Sequence, residues 1–187
     1  FLERQLNYEL VKDYITLFDS YYSKHQMLQN ERGKKRIGAD SVKVLRICND
    51  INKELAQKQK VIVLVQLFEF VKADKLEISY QELEFIEVVT ESFHITKEEQ
   101  SLLRNFTTNP FDNIPSHHEL LVLNNKKGTP EGVYKYLYSE FLDGHLWIIH
   151  VATANMYFLR YIGDNEMYLN GQILQQNKVY VLNPGTS

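Results

Sequence analysis

The acidic segment that follows the most apolar part of the chain holds the side chains best suited to bind a metal ion. Asp74, Glu77 and Glu82 present carboxylates close together in sequence. An EF-hand loop needs oxygen ligands at alternate positions and a central glycine. Leu76 and Ile78 occupy ligand positions here, and helix capping explains the carboxylates more simply. We keep these three acidic residues as candidate metal ligands only under an alternative hypothesis, in which the chain is a divalent-cation-sensing module.

The other reactive residue types do not form a catalytic pattern. Lys127, Gly128 and Thr129 have the composition of a phosphate-binding loop, but such a loop ends in Gly-Lys-Ser/Thr and opens a helix. The single cysteine, Cys48, lies in an apolar helical pattern, which favours a buried thiol and fits a reducing compartment. No serine lies in a Gly-x-Ser-x-Gly elbow. We predict no catalytic residue and no cofactor in this chain.

Neither the histidines nor the mixed aromatic and basic side chains of the second half indicate a particular kind of ligand. The histidines lack the His-Glu-x-x-His spacing of a zinc site: His94, His117, His118, His145 and His150. Aromatic and basic side chains mix in the second half: Tyr134, Lys135, Tyr136, Tyr157, Arg160 and Tyr161. Such a mixture can stack on single-stranded nucleic acid, but it is also typical of small β domains. Since the formal net charge is -3, we predict no nucleic-acid partner.

The elements that position these residues are organised around the segment from Lys60 to Lys72, which is apolar on almost every side. It is shorter than the roughly 20 apolar residues that span a bilayer, so we predict that it is buried in protein and does not insert into a membrane. Good helix formers precede it, and no turn signal lies between Leu55 and Ala73. We predict one central helix from about Asn52 to Ala73.

Helical spacing and caps predict further helices on both sides of the central one. Residues 1–28 carry an amphipathic stripe, residues 30–38 form a basic polar loop, and Asp40 or Ser41 caps a second helix. Downstream, two capping boxes open successive helices, one at Ser79 with Glu82 and one at Thr96 with Glu99. The chain is therefore predicted to be all-helical to about residue 107.

Turn signals between residues 107 and 116 predict a domain boundary, after which the pattern has a period of two. The predicted strands are Glu119 to Leu123, Val133 to Glu140, a Trp147-bearing strand, Tyr157 to Tyr161, Glu166 to Leu169 and Lys178 to Leu182. Asp143-Gly144 is predicted to form the hairpin turn before the Trp147 strand, and Asn170-Gly171 to join the last two strands. We predict an α+β protein with an all-α bundle over residues 1–108 and a small antiparallel β sandwich or barrel over residues 109–187.

Residues 65–99 resemble the helical domain of the TerB-like, tellurite-resistance family. The match lies in two successive Ile-Ser/Thr-x-x-Glu motifs, Ile78 to Glu82 and Ile95 to Glu99. Asp74 is followed by Lys75 where the family has an acidic residue followed by glycine. The resemblance implies a helical bundle and, where the acidic turn is intact, metal binding. It also implies a second alternative role, a stress-response adaptor.

The last part of the chain, Glu166 to Leu174 and Val179 to Ser187, is similar to the end of a forkhead-associated (FHA) β domain. Such domains bind phosphothreonine through Gly-Arg and Ser-x-x-His motifs. This chain has neither motif, so phosphopeptide binding does not carry over to it.

The order of a TerB-like and then an FHA-like domain resembles the N-terminal cytoplasmic region of bacterial ABC transporter ATP-binding proteins. Phe1 to Asn7 and Ser41 to Cys48 contribute to this resemblance. It implies a cytoplasmic, non-catalytic regulatory or protein-interaction region that contacts protein partners or the rest of its own polypeptide. We expect a longer, membrane-associated protein in which the ATPase cassette, with its ATP and Mg, lies outside this sequence.

Overall fold

A computed structural model describes residues 37–74, 78–128 and 131–182. The helix predicted over residues 1–28 lies outside the described residues, as does most of the basic loop that follows it. The chain divides into two compact units, Phe1–Leu55 and Ala56–Ser187. No helix within the described ranges is both long enough and apolar enough to cross a membrane.

In the first unit, the described part is helix α1, Ile37–Glu54. The helix begins before Asp40 and Ser41, so the prediction that one of them caps its start is wrong. Cys48 and Ile51 are buried, as their helical spacing predicts.

Helix α2, Gln57–Asp74, opens the second unit and carries the apolar segment. Its most deeply buried residues are Val61, Leu64, Val65 and Phe68. The prediction of one helix from Asn52 to Ala73 is wrong, because the chain breaks its helical run at Leu55 and Ala56. The Ala56 amide donates to the Gln59 side chain (2.8 Å), so a side-chain cap starts a new helix without glycine or proline.

Helices α3, Tyr80–Ser92, and α4, Lys97–Thr108, begin at the two predicted caps. Ser79 and Glu82 form the complete capping box. At the second cap, Thr96 accepts from the Glu99 amide, but the Glu99 carboxylate instead accepts from the amide and hydroxyl of Thr153. The second box is therefore only half formed by these contacts, and its carboxylate ties α4 to the β region.

Five strands form the main sheet in the order β2-β1-β3-β4-β7. The strand bounds are β1 Leu120–Asn124, β2 Lys135–Tyr138, β3 His145–Val151, β4 Met156–Ile162 and β7 Val179–Leu182. Strands β5, Tyr168–Leu169, and β6, Gln172–Ile173, make a separate two-stranded ribbon. A single 3₁₀ turn, Ala152–Ala154, connects β3 to β4.

The α+β class is confirmed, but the predicted strand connections are partly wrong. Strand β2 pairs in parallel with β1, and β1 lies between β2 and β3. Asp143-Gly144 therefore does not join paired strands. Asn170-Gly171 joins β5 to β6 rather than to β7, and both turn residues have positive φ, as a type I′ hairpin turn requires. A mixed sheet plus a ribbon replaces the predicted antiparallel sandwich or barrel in the described part of the chain.

Both faces of the sheet carry buried side chains, and one face is buried more completely than the other. Trp147, Ile149 and Phe158 lie on one face and are almost fully buried, and Trp147 packs against Phe106 of α4. On the other face, a smaller cluster packs under the ribbon: Leu142, Leu146, Leu159, Tyr161 and Leu174. The helices and sheet of residues 56–187 thus share one compact unit, which runs across the boundary that we predicted between residues 108 and 109.

Candidate functional site

Of the three predicted metal ligands, the structure describes the side chain of Glu82. Glu77 and the side chain of Asp74 lie outside what the structure describes. The Glu82 carboxylate accepts hydrogen bonds from the amide (2.8 Å) and hydroxyl (2.6 Å) of Ser79. Among the described residues, no group of three His, Cys, Asp or Glu side chains could hold a metal ion. Helix capping therefore accounts for the described acidic residue of this set.

Residues considered for catalysis or for nucleic-acid binding have structural contacts. His150 Nδ1 lies 3.0 Å from the Glu119 carboxylate, and the His150 ring stacks on Tyr157. Cys48 is buried. Arg160 and Tyr161 are also buried, so they do not contribute to a basic aromatic surface.

At one edge of the main sheet, the start of strand β7 is held by polar contacts from the helices. The Val179 amide donates to Glu69 Oε1 on α2 (2.8 Å), while Gln66 donates to Glu69 Oε2 (3.1 Å). Asn177, just before β7, accepts from Lys72 Nζ (3.0 Å). Lys72 also donates to the Thr107 carbonyl at the end of α4 (2.9 Å). These contacts join β7 to the C-terminal parts of two helices.

Arg160 on β4 completes this arrangement from inside the core. Its side chain is 1% exposed. The guanidinium donates to Asn177 Oδ1 through Nε (2.8 Å) and Nη2, and to the Phe106 carbonyl through Nη1 (2.6 Å). It also lies over the rings of Phe111 (4.5 Å to the centroid) and Trp147 (5.5 Å). We name Glu69, Lys72, Arg160 and Asn177 the polar clasp.

In the polar clasp, Lys72 and Arg160 both donate to Asn177 Oδ1. The carboxylate of Glu69 is the one negative charge of the clasp. Burial, reinforced by the charge of Arg160, lowers the pKa of Lys72 to about 8. Burial also lowers the pKa of Arg160 to about 10, although Glu69 opposes this shift. Burial raises the pKa of Glu69, and the Val179 amide and the charges of Lys178 and Lys72 oppose the rise. The clasp therefore acts as a structural fastening in which the Arg160 guanidinium is buried and the charges of Glu69 and Lys72 are partly removed from water.

The opposite edge, strand β2, has no such cover within the described ranges. Three apolar side chains in and around it are prominently exposed: Val133 (66%), Leu137 (53%) and Phe141 (83%). Tyr138 is also exposed, and the Lys127 ammonium lies 5.5 Å from the centre of its ring. Single exposed apolar residues are ordinary, whereas several along one strand edge indicate a contact surface. We call Val133, Tyr136, Leu137, Tyr138 and Phe141 the open edge.

The open edge also directs main-chain groups away from the sheet. Strand β2 contacts β1 on one side only, and the Ser139 amide donates to the Asn124 carbonyl of β1 (2.9 Å). In a parallel strand pair, every second residue of a strand directs both its N–H and its C=O to the same neighbouring strand, and the residues between direct theirs to the opposite side. Leu137 therefore faces β1 as Ser139 does. The main-chain groups of Tyr136 and Tyr138 point to the unpaired side, where they can receive another strand.

Comparison with family models, with characterised proteins and with solved structures gives no match for this chain. The site must therefore be interpreted from its own geometry and from the sequence resemblance alone.

Sequence reasoning identified neither edge as a functional or structural site. A signal for the open edge was present, because Val133, Lys135, Leu137 and Ser139 alternate with tyrosines and neither face of the strand is uniformly apolar. Strands that are buried on both faces are near-continuously apolar, so this pattern indicates at least one solvent-exposed face. The clasp left no comparable signal, since its members are far apart in sequence.

Proposed function

We propose that this chain is a non-catalytic protein-interaction region and that the open edge is its contact surface. The observation that carries the proposal is the combination of exposed apolar side chains with unpaired main-chain groups on β2. An extended segment that adds to a sheet edge gains main-chain hydrogen bonds for affinity and side-chain contacts for specificity. The open edge offers both.

On the resemblance of its sequence, we assign this region to a bacterial ABC transporter ATP-binding protein whose ATPase cassette lies elsewhere in the polypeptide. A cytoplasmic location, a TerB-like identity for the helices and an FHA-like identity for the strands belong to the same proposal. The cation-sensing alternative has no support from the described acidic residue, because Glu82 is bound to Ser79.

Photo-crosslinking in the full-length protein tests whether the open edge is a contact surface. A photoreactive phenylalanine analogue replaces Leu137, and the matched control carries it at Ile173, which is similarly exposed (52%) on the ribbon. We expect Leu137 to crosslink to one defined peptide, identified by mass spectrometry, and Ile173 to give no such product. Equal, scattered crosslinking at both positions contradicts the proposal.

A thermal-shift experiment tests the non-catalytic part and the cation alternative together. A ligand at a hundred times its dissociation constant stabilises the folded state by about 2.7 kcal/mol. For residues 1–187 alone, we expect no shift with Mg-ATP, calcium or magnesium, since the proposed ATPase cassette lies outside them. A shift with ATP overturns the non-catalytic proposal, and a shift with calcium or magnesium alone favours the sensing role.

A further inference from the structure

We infer that the open edge pairs with the open edge of a second copy of this chain, so that two β2 strands join antiparallel across a twofold axis at Leu137. This inference rests on the proposed function, since it names the partner of the same surface. It comes from the symmetry of the residues around Leu137.

The main-chain groups fit this register. The outward-facing residues are Tyr136 and Tyr138, one on each side of Leu137. With the axis at Leu137, Tyr136 of one copy lies opposite Tyr138 of the other, and the two exchange both hydrogen bonds of an antiparallel narrow pair. The symmetry repeats this pair, so every outward main-chain group of both tyrosines is used. An axis at Tyr138 would instead place Tyr136 opposite Glu140, where the strand has already ended.

The exposed side chains fit the same register. Val133 precedes Leu137 by four residues and Phe141 follows it by four, so the axis brings Val133 of one copy to the end of the interface that holds Phe141 of the other. Leu137 meets its own symmetry mate on one face of the sheet. On the other face the register places Tyr136, whose hydroxyl donates to Asn124 and Lys126, opposite Tyr138 of the second copy. Aromatic cross-strand pairs stabilise antiparallel strands.

The charges along the strand do not oppose this pairing. Lys135 is the only charged residue within β2, and the register places it opposite Ser139 of the second copy. Like charges directly opposite each other destabilise a strand pair, and none arise inside β2 in this arrangement. An isologous contact of this kind is closed, since it uses the same patch on both copies and leaves neither copy with a free β2 edge.

Substitutions at Leu137 test the proposed dimer directly, because Leu137 of one copy lies opposite Leu137 of the other at the twofold axis. Sedimentation velocity of the full chain over a range of concentrations should show a dimer that Leu137→Asp weakens at least about tenfold. Leu137→Lys should do the same. Mixing the two variants should restore a dimer, since opposite charges then meet across the axis. Loss of fold cannot produce such a restoration.

Cysteine crosslinking supplies an independent readout. Residues in a non-hydrogen-bonded antiparallel pair lie within the Cα separation of a disulfide. Leu137→Cys should give a covalent dimer under mild oxidation, while the matched Ile173→Cys should not, and the native Cys48 is buried in both.

A chain that stays monomeric at all concentrations and gives no Leu137→Cys dimer overturns the inference. The photo-crosslinking experiment then decides the fate of the proposed function separately. Crosslinks from Leu137 to another protein, or to another part of the same polypeptide, keep the open edge as a contact surface with a different occupant. The absence of any defined crosslink from Leu137 contradicts the proposed function as well as the dimer.

Discussion

The two edges of the main sheet differ in the contacts that they make with the rest of the described residues. At β7, a carboxylate from α2 accepts the Val179 amide, and Asn177 receives hydrogen bonds from Lys72 and Arg160. At β2, the described residues leave the outward main-chain groups without cover, and apolar side chains face solvent beside them. Natural proteins usually protect sheet edges against unwanted pairing. The contrast between a contacted edge and an exposed edge in the same sheet supports our proposal that the exposed edge is a contact surface.

The comparison also separates stability from interaction. The polar clasp is centred on the buried Arg160 and joins helices to strands, so changes there should destabilise the fold. The open edge is exposed, so changes there should alter association while leaving the fold nearly as stable as before.

Arg160→Met should have the largest effect on the covered edge. The variant leaves the buried Phe106 carbonyl without the guanidinium donor and removes the Arg160 hydrogen bonds to Asn177, which then accepts from Lys72 alone among the described donors. We expect a loss of roughly 2–4 kcal/mol in the free energy of unfolding, measured by urea denaturation. Arg160→Lys keeps a charge but not the planar donor geometry, so it should recover only part of the loss. An unchanged midpoint for Arg160→Met contradicts a fastening role for the clasp.

Glu69 offers a paired test of the same edge. Glu69→Ala leaves the Val179 amide without its acceptor and should cost about 1–2 kcal/mol in urea denaturation. Glu69→Gln keeps an acceptor oxygen and removes a charge whose burial is unfavourable, so it should cost much less. Equal losses in the two variants would show that the carboxylate charge matters more than the hydrogen bond.

The pH dependence of stability should report on Lys72. Its pKa is about 8 in the folded chain against an ordinary value of 10.5, so the folded state loses its proton first as the pH rises. The free energy of unfolding contributed by Lys72 should therefore increase from about pH 8 to about pH 10. Lys72→Met lacks this group, and the difference between wild-type and variant stability, measured by urea denaturation at several pH values, should rise over that window. A flat difference contradicts burial of the ammonium.

Leu137→Asp should have the smallest effect on stability, because the replaced side chain is more than half exposed. We expect a change within about 0.5 kcal/mol in urea denaturation of dilute protein, where the chain is monomeric. A loss of several kcal/mol would mean that Leu137 belongs to the core of a single copy, and the contrast between the edges would disappear.

Local patterns predicted the elements of this fold well. The apolar run of α2 predicted its burial, and Ser79 with Glu82 predicted the start of α3, because both effects act between residues close in sequence. The period of two predicted the strands of the main sheet for the same reason. The break at Ala56 was missed, since it depends on a single side-chain cap from Gln59 rather than on a helix-breaking residue.

Contacts between distant residues could not be predicted in this way. The parallel pairing of β1 with β2 depends on strands that do not form a hairpin. The polar clasp joins Lys72 to Asn177 across more than half of the chain, and Arg160 was considered for nucleic-acid binding although its guanidinium is buried. The acidic residue Glu82 was considered for metal binding because sequence shows its charge and not its hydrogen-bond partners.

Amide hydrogen exchange followed by NMR tests the contrast between the two edges most directly. In dilute protein, we expect the amides of Tyr136 and Tyr138 to exchange fast, while those of Leu137 and Val179 are protected by Val122 and Glu69 respectively. At high protein concentration, Tyr136 and Tyr138 should gain protection and Val179 should not change. Protection of Tyr136 and Tyr138 in dilute protein, or rapid exchange of Val179, contradicts an open edge at β2 and a covered edge at β7.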